Sequence, residues 1–412
     1  MDFKNNILKI NFYLLLLFPL SLVFSRFVAE LIVFITILNL FQNYNFLKNY
    51  FRDNWFKFFV LFYLWLVITT LQQHNIEHTL KSIAYIRFLL FSLGIVIILD
   101  NLKKFNLFLL SIFVTIFFVQ FDILIQFFFG KDLFGYVPSN EVRFSGPFGD
   151  ELIAGGFMTK FLSITFFCLF LFLEKRKIKN TDLILSIYLF LSLIIIFLTG
   201  ERMSMLLALL IFFVIFILEK RLRNKLFILI ICFSLILSYF VLQNEKYYNR
   251  YIKQNLIQMG MVYDGVNYSL KDSIYFRVWV TGINFIKQKP ITGSGLKFYY
   301  HNCNHDEKFF KNIKLANCIH PHNIYLDLIG ATGMLGLILF FSFLVNLIFV
   351  IKSSRIKNLS YKLIFKGSLL GLLILFWPLK TSGAFFNNFN SLILFTIISI
   401  LITNYKLNLN KD

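Results

Sequence analysis

Two histidines and three arginines carry the chemistry that this sequence could perform. His320 and His322 lie in the segment His320-Pro321-His322-Asn323, where a long polar stretch meets an apolar run. Pro321 suits the first turn of a helix, because its missing N–H costs nothing there. A helix starting at this point would place His322 at its N-terminus. The positive end of the helix dipole disfavours imidazolium there. A neutral imidazole is a competent general base near neutrality. His320 is the second choice: two positions along a helix it would face away, and it converges with His322 only if the backbone is extended. The residues alone leave another reading open, a polar interfacial loop whose histidines do nothing special.

The arginines are Arg143, Arg202 and Arg277. Arg202 lies in the tight turn Thr199-Gly200-Glu201-Arg202, and Arg277 in Tyr275-Phe276-Arg277-Val278-Trp279. A guanidinium presents a planar fork of donors that fits phosphate oxygens. Taken singly, each could snorkel to lipid headgroups or pair with a local carboxylate, Glu201 in the case of Arg202. Three arginines and a histidine on one side of a membrane instead fit an enzyme acting on a phosphorylated lipid.

The rest of the chain must hold these groups, and it reads as a membrane protein. Of 412 residues, 58% are hydrophobic and 15% charged, and the mean hydropathy is +0.72. A soluble domain is nearer half apolar and a quarter charged. The count of 56 Phe is extreme but carries no functional signal of its own. Spanning a ~30 Å hydrocarbon core takes about 20 apolar residues. About twelve candidate runs satisfy or approach this, centred near 16, 35, 63, 90, 117, 162, 190, 210, 233, 342, 371 and 395. The expected fold is therefore an all-α polytopic membrane protein of about twelve transmembrane helices with one large loop containing short helices. Residues 1–242 carry the first nine spans, 243–323 form the loop, and 324–412 carry the last three. The first run continues past Pro19 without a small-residue cleavage site and reads as an uncleaved helix.

The net charge of +20 would suggest nucleic acid if it were spread differently. Its lysines and arginines cluster at 175–179, 220–225 and 352–362, with smaller groups at 48–57 and 103–104. These fall on alternate sides of successive spans, whereas the opposite short loops carry little: Lys81, Lys131, Arg143, Arg202 and Lys380. That asymmetry is the positive-inside pattern. It puts both termini in the cytoplasm and the 243–323 loop outside, and it leaves no nucleic-acid role.

Within the outer loop, Tyr275, Val278, Trp279 and Ile283 suggest a short interfacial helix. Gly330, Gly333 and Gly336 recur every three residues, which would let another helix approach closely. Glu30 and Arg87 could pair near the ends of two spans, and Asp122 is left without an assigned role. Cys168 and Cys232 read as inert small hydrophobes. Cys303 and Cys318 fit a disulfide in an oxidising compartment, worth about 3 kcal/mol for a loop of this size. The alternative is a zinc site from His301, Cys303, His305, Cys318 and His320, but that spacing matches no standard zinc pattern.

Taken in order, these motifs resemble those of the O-antigen ligase family, whose relatives include O-antigen polymerases. His322-Asn323, nine residues, then Gly333-x-x-Gly336 resembles the family signature. Thr199-Gly200-Glu201-Arg202 is similar to its arginine turn. Arg277-x-Trp279 followed by Pro290-x-x-Gly293-x-Gly295 is similar to its loop-arginine motif. Arg143-Phe144-Ser145-Gly146-Pro147-Phe148-Gly149-Asp150 and Ser382-Gly383-Ala384-Phe385-Phe386 add to the likeness, which covers roughly residues 140–400. Glu201 departs from the pattern, since many members carry a small residue before the arginine.

The resemblance implies a bacterial inner-membrane glycosyltransferase working at the periplasmic leaflet without a metal or other cofactor. Its donor would be a glycan on undecaprenyl diphosphate. A ligase would deliver that glycan to the lipid A core, and a polymerase to another lipid-linked repeat unit. In such an enzyme His322 would take the acceptor proton while Arg202 and Arg277 stabilise the departing diphosphate. His320, Asn323 and Arg143 would support them. Gly333, Gly336, Cys303 and Cys318 would be structural. A reading from a different class, a transporter of lipid-linked sugar, is disfavoured because the polar groups gather at one face and not at mid-membrane.

Overall fold

The computed structural model describes residues 2–48, 50–139, 141–263, 265–267, 269–305, 319–353, 358–381 and 383–409. Apolar runs dominate it as long helices: α1 (Asp2–Phe24), α2 (Arg26–Gln42), α3 (Asn54–Leu71), α4 (Ile76–Ile98, with a 3₁₀ turn at Ala84–Ile86), α5 (Leu102–Phe129), α6 (Ala154–Lys175), α7 (Thr181–Leu198), α8 (Arg202–Leu218) and α9 (Arg223–Gln243). A helix α10 (Ile274–Gln288) lies in the long connection that follows. The chain then forms α11 (Ile324–Ser353), α12 (Leu359–Leu375) and α13 (Asn388–Leu409). The β-structure in the described residues amounts to a two-residue ladder, Val262–Tyr263 against Val266–Asn267, and a bridge from Ser139 to Arg143.

Eight helices among the described residues are long and apolar enough to cross a membrane. The chain is thus a multi-pass, all-helical membrane protein. Helices α2, α8 and α12 have 17 residues each. At 1.5 Å per residue they rise about 26 Å, a little under a ~30 Å hydrocarbon core.

Phenylalanine fills the core between helices. Phe59 meets Phe343 and Phe395 edge-on, and Phe340 meets Phe385 in the same way. Such pairs add about 0.5–1.5 kcal/mol beyond their burial. Helix α11 packs chiefly on α3, α12 on α6, and α13 on α4. Glu30 and Arg87 do pair, at 3.4 Å.

Helix α11 is broken. Gly333 has φ 67° and ψ −176°, a conformation open to glycine and costly for other residues. The break frees the carbonyls of Gly330, Ala331 and Thr332. Ser294 N donates to Gly330 O at 2.8 Å and Gly295 N to Ala331 O at 2.8 Å. Trp65 Nε1 donates to Thr332 O at 2.8 Å. In return Met334 N donates to Pro290 O at 2.9 Å. Residues 290–295 therefore lie backbone to backbone against the broken helix, which is how irregular chain survives inside a membrane protein. A Cβ on Gly333 would sit 2.0 Å from Ile291 O, and one on Gly293 would sit 2.4 Å from Gly333 N. The close approach expected at Gly333 is thus made by an irregular segment of the long connection, while Gly330 is met by the ring of Phe298, at the start of the short helix Phe298–His305. Gly336 is tight for a different reason, since its Cβ would strike the Thr332 side chain at 2.1 Å.

Helix α10 is capped by Ser273. It buries Val278, Thr281, Gly282 and Phe285, so the inward face differs from the Tyr275–Ile283 stripe expected. Val278 and Phe285 join Phe298, Tyr299 and Cys303 in a small separate core. Cys303 is disulfide-bonded, Cys168 and Cys232 are free, and Cys318 lies outside the described residues.

Candidate active site

Helix α11 starts at Ile324, three residues later than Pro321 suggested. Asn323 is the cap: its Oδ1 accepts from Tyr325 N at 2.9 Å and Leu326 N at 3.2 Å. An Asn in this place satisfies two of the four N–H groups that a helix start leaves open. Its Nδ2 donates to Pro378 O at 2.9 Å. Asn323 is therefore a structural pin between α11 and the α12–α13 turn. Two further bonds hold that turn. Tyr325 Oη donates to Phe376 O at 2.6 Å, and Phe385 N donates to Asp327 Oδ2 at 2.7 Å.

Just before the cap, His322 adopts φ 51°. A non-glycine residue in this left-handed region is uncommon, and such strain concentrates at functional sites. The bend folds the segment back so that the rings of His320 and His322 lie 4.1 Å apart, with their planes at 49°. The convergence that an extended backbone would permit is thus present. Tyr275 of α10 presents its ring edge to His322 at 5.8 Å.

His320 and His322 line a cavity of about 550 Å³. Its size falls within the range of small-molecule sites. Arg143, Arg202 and Arg250 line it too, as do Arg26, Lys160 and Lys380. Two carboxylates, Glu151 and Glu201, offset these six cations. Glu151 pairs with Arg26.

Glu201 is spent elsewhere. Its Oε1 accepts from Gly155 N at 2.7 Å, and its Oε2 from Gly156 N at 3.0 Å and Ser204 Oγ at 2.9 Å. It thus caps α6, whose first turn has the positive end of a helix dipole and open N–H groups. Burial pushes its carboxyl above the usual range, and those hydrogen bonds together with Arg143 pull it back.

Arg202 is held by neutral groups. Nη1 donates to Asn255 Oδ1 at 2.6 Å and Nη2 to Gln258 Oε1 at 3.0 Å. Its charge is therefore positioned but not cancelled. Arg250 Nε donates to Gly200 O at 2.9 Å, and Tyr251 Oη to Phe197 O at 2.5 Å. These bonds dock the start of the long connection onto the arginine turn. Arg143 has its Nε buried with no partner among the described residues. Burial lowers its pKa, as does neighbouring Arg250. Three guanidiniums sharing a half-buried space form a site for an anion.

Arg277 does not join them. It lies two positions after Tyr275 on α10 and is absent from the cavity lining. Its Nε is buried without a hydrogen-bond partner among the described residues.

The sequence reading missed Arg250, Lys160 and Lys380. Lys160 had a visible signal, being a lone cation in an apolar run, which is costly and seldom idle. Among the described residues no group of three or more His, Cys, Asp or Glu is placed to hold a metal ion.

Residues 187–341 match the family model Wzy_C, described as O-Antigen ligase. This stretch is similar to an O-antigen ligase domain. The match covers less than half of the chain, but it holds Arg202, Arg250, Arg277, both histidines, and the Gly333 and Gly336 break. Arg143, Lys160 and Lys380, on helices or turns outside the matched span, complete the cavity around this domain. Members of the O-antigen ligase family are membrane glycosyltransferase-like ligases or polymerases, and lipid-linked glycans are their general class of substrate. No curated protein matches the chain.

Proposed function

We propose that this protein is an O-antigen ligase-type glycosyltransferase that moves a glycan from undecaprenyl diphosphate to the lipid A core. The observation that carries the reading is one cavity containing both His322 and Arg202. In the expected topology about twelve spans place this cavity at the periplasmic leaflet of the inner membrane, with both termini in the cytoplasm. The clusters of lysine and arginine on alternate loops support that orientation.

In the proposed reaction His322 takes the proton from the acceptor hydroxyl. The acceptor oxygen forms a bond to the anomeric carbon while the bond from that carbon to the diphosphate oxygen breaks, with inversion. The electron pair of the broken bond leaves on the diphosphate, which stays on its polyprenyl chain. Arg202, with Arg143 and Arg250 beside it, stabilises the charge that grows there. Confining two lipid-anchored reactants in one cavity supplies proximity. His320 lies against His322 and can hold its ring in place. Arg277, two positions beyond Tyr275 on α10, would reach the diphosphate only if α10 turned.

Transfer by the purified protein, supplied with lipid-linked glycan and core lipid with and without chelator, tests the reading. Formation of a new glycosidic bond is expected. Movement of the lipid-linked sugar across vesicles without bond formation would overturn it. The glycolipids of a knockout strain separate the two family activities: bare core identifies a ligase, and core with a single repeat identifies a polymerase.

A further inference from the structure

Apart from Arg26, which pairs with Glu151, the cations of the cavity fall into two groups. Arg143, Arg202 and Arg250 act on one another electrostatically. Lys160 of α6 and Lys380 of the α12–α13 turn form the second group, and Lys160 is the charged neighbour that acts on Lys380. Glu201 lies between them, close enough to influence both Arg143 and Lys160. It is already occupied in capping α6.

The lysine group is buried at Lys380 and half-buried at Lys160. Lys380 is 7% exposed. Its Nζ donates to Leu375 O at 2.8 Å and Ile374 O at 3.1 Å, the carbonyls ending α12. An ammonium has three N–H donors, so one is left for the cavity that Lys380 lines. Lys160 Nζ donates to Asn390 Oδ1 at 2.9 Å, and Asn390 Nδ2 donates to Ala384 O at 2.9 Å. Neither lysine has a carboxylate partner among the described residues. Thr381, Asn387 and Asn390 add hydroxyl and amide groups around them. A buried and a half-buried cation with neutral partners are an unbalanced arrangement unless an anion completes it.

We propose that Lys160 and Lys380 form a second anion subsite, which takes an acidic group, phosphate or carboxylate, carried by a sugar of the acceptor glycolipid. This assignment rests on the glycosyltransferase reading for the word acceptor, while the subsite itself does not. The arginine group would hold the donor diphosphate, and the lysine group the other substrate. His322 would face the space between them. Burial holds the Lys380 ammonium well below its ordinary pKa, so an arriving anion would draw a proton onto it.

The test needs no catalysis. The full-length protein in lipid nanodiscs is titrated with glucose 6-phosphate, glucuronate, glucose and inorganic pyrophosphate, and its thermal unfolding is followed. Stabilisation is expected from glucose 6-phosphate or glucuronate and not from glucose, and it should be stronger at pH 6 than at pH 8. The better of the two acids tells phosphate from carboxylate. Lys160→Gln and Lys380→Gln should each weaken that binding about tenfold or more, Lys380→Arg should retain most of it, and Arg202→Gln should leave it unchanged. Pyrophosphate should show the opposite dependence. A single site in which both ligands respond alike to the lysine and arginine variants would overturn the proposal. So would stabilisation by glucose equal to that by the acids, or no stabilisation by either acid. The unliganded unfolding temperature of each variant identifies any that misfold. Because the readout is binding alone, a failed transfer assay with intact lysine-dependent binding would sink the glycosyltransferase reading and not the subsite.

Discussion

Glu201 turns its carboxylate away from Arg202, its neighbour in the chain, and onto the backbone of Gly155 and Gly156. The adjacent pair thus does two jobs: the acid fastens α6, and the base is left charged in the cavity. Removing the acid should cost stability first. Glu201→Ala leaves two buried N–H groups without acceptors, worth about 2–4 kcal/mol together. A lowered unfolding temperature in nanodiscs checks this. An unchanged temperature would show that Gly155 and Gly156 find other acceptors.

Arg202 should tolerate no basic substitute. Its fork reaches Asn255 and Gln258 at once, and a lysine cannot make both contacts and still face an anion. Arg202→Lys is expected to lower transfer by roughly 10²-fold, the scale for losing one positioned donor to a developing negative charge. Steady-state rates against donor concentration measure it, and near-normal kinetics in the variant would remove Arg202 from the diphosphate site.

His322→Ala should cut transfer by about 10²–10⁴-fold, the usual worth of a positioned general base, while the protein still inserts and folds. His320→Ala should be milder, since its ring supports His322 and does not replace it. Equal losses in the two variants would mean that the pair acts as one unit.

Lys380 gives a pH dependence whose sign can be worked out. Its folded pKa is depressed by burial, so the unfolded chain binds more protons between that value and ~10.4, the ordinary lysine pKa. Stability on this group's account therefore rises as pH climbs through that window. Lys380→Met should be more stable than wild type at pH 7, with a gap that narrows toward pH 10. Unfolding temperatures at several pH values measure the gap, and a constant difference would show that Lys380 titrates normally.

Gly333→Ala should be among the most damaging single-methyl changes in the chain. It forces a side chain into φ 67° and against Ile291 O. Loss of folded protein on expression, or a large drop in unfolding temperature, is expected. Gly265→Ala, at φ 72° but with open space around it, is the control for backbone strain alone.

Much of this was legible in the chain. Apolar length gives the long helices, and the order of His322, Arg202 and the paired glycines gives the likeness to O-antigen ligases that the match over residues 187–341 also finds. What was not legible depends on tertiary contact. Arg250 sits among tyrosines in a polar stretch, and nothing local shows that its guanidinium docks on Gly200. Lys380 reads as one sparse loop charge until the α12–α13 turn is seen pinned to α11. Arg277 looked equivalent to Arg202 because both are arginines in family-like motifs, yet a helical offset of two residues gives Tyr275 the cavity in its place. Pro321 pointed to a helix start, but Asn323 has the side chain that can cap one.

The backbone contact between residues 290–295 and the Gly333 break means that neither stretch has a shape of its own to inherit. A chimaera that borrows one of them from a relative must import its mate in the same graft. An exchange made at only one of the two would leave carbonyls stranded in the bilayer, whatever the imported side chains could do.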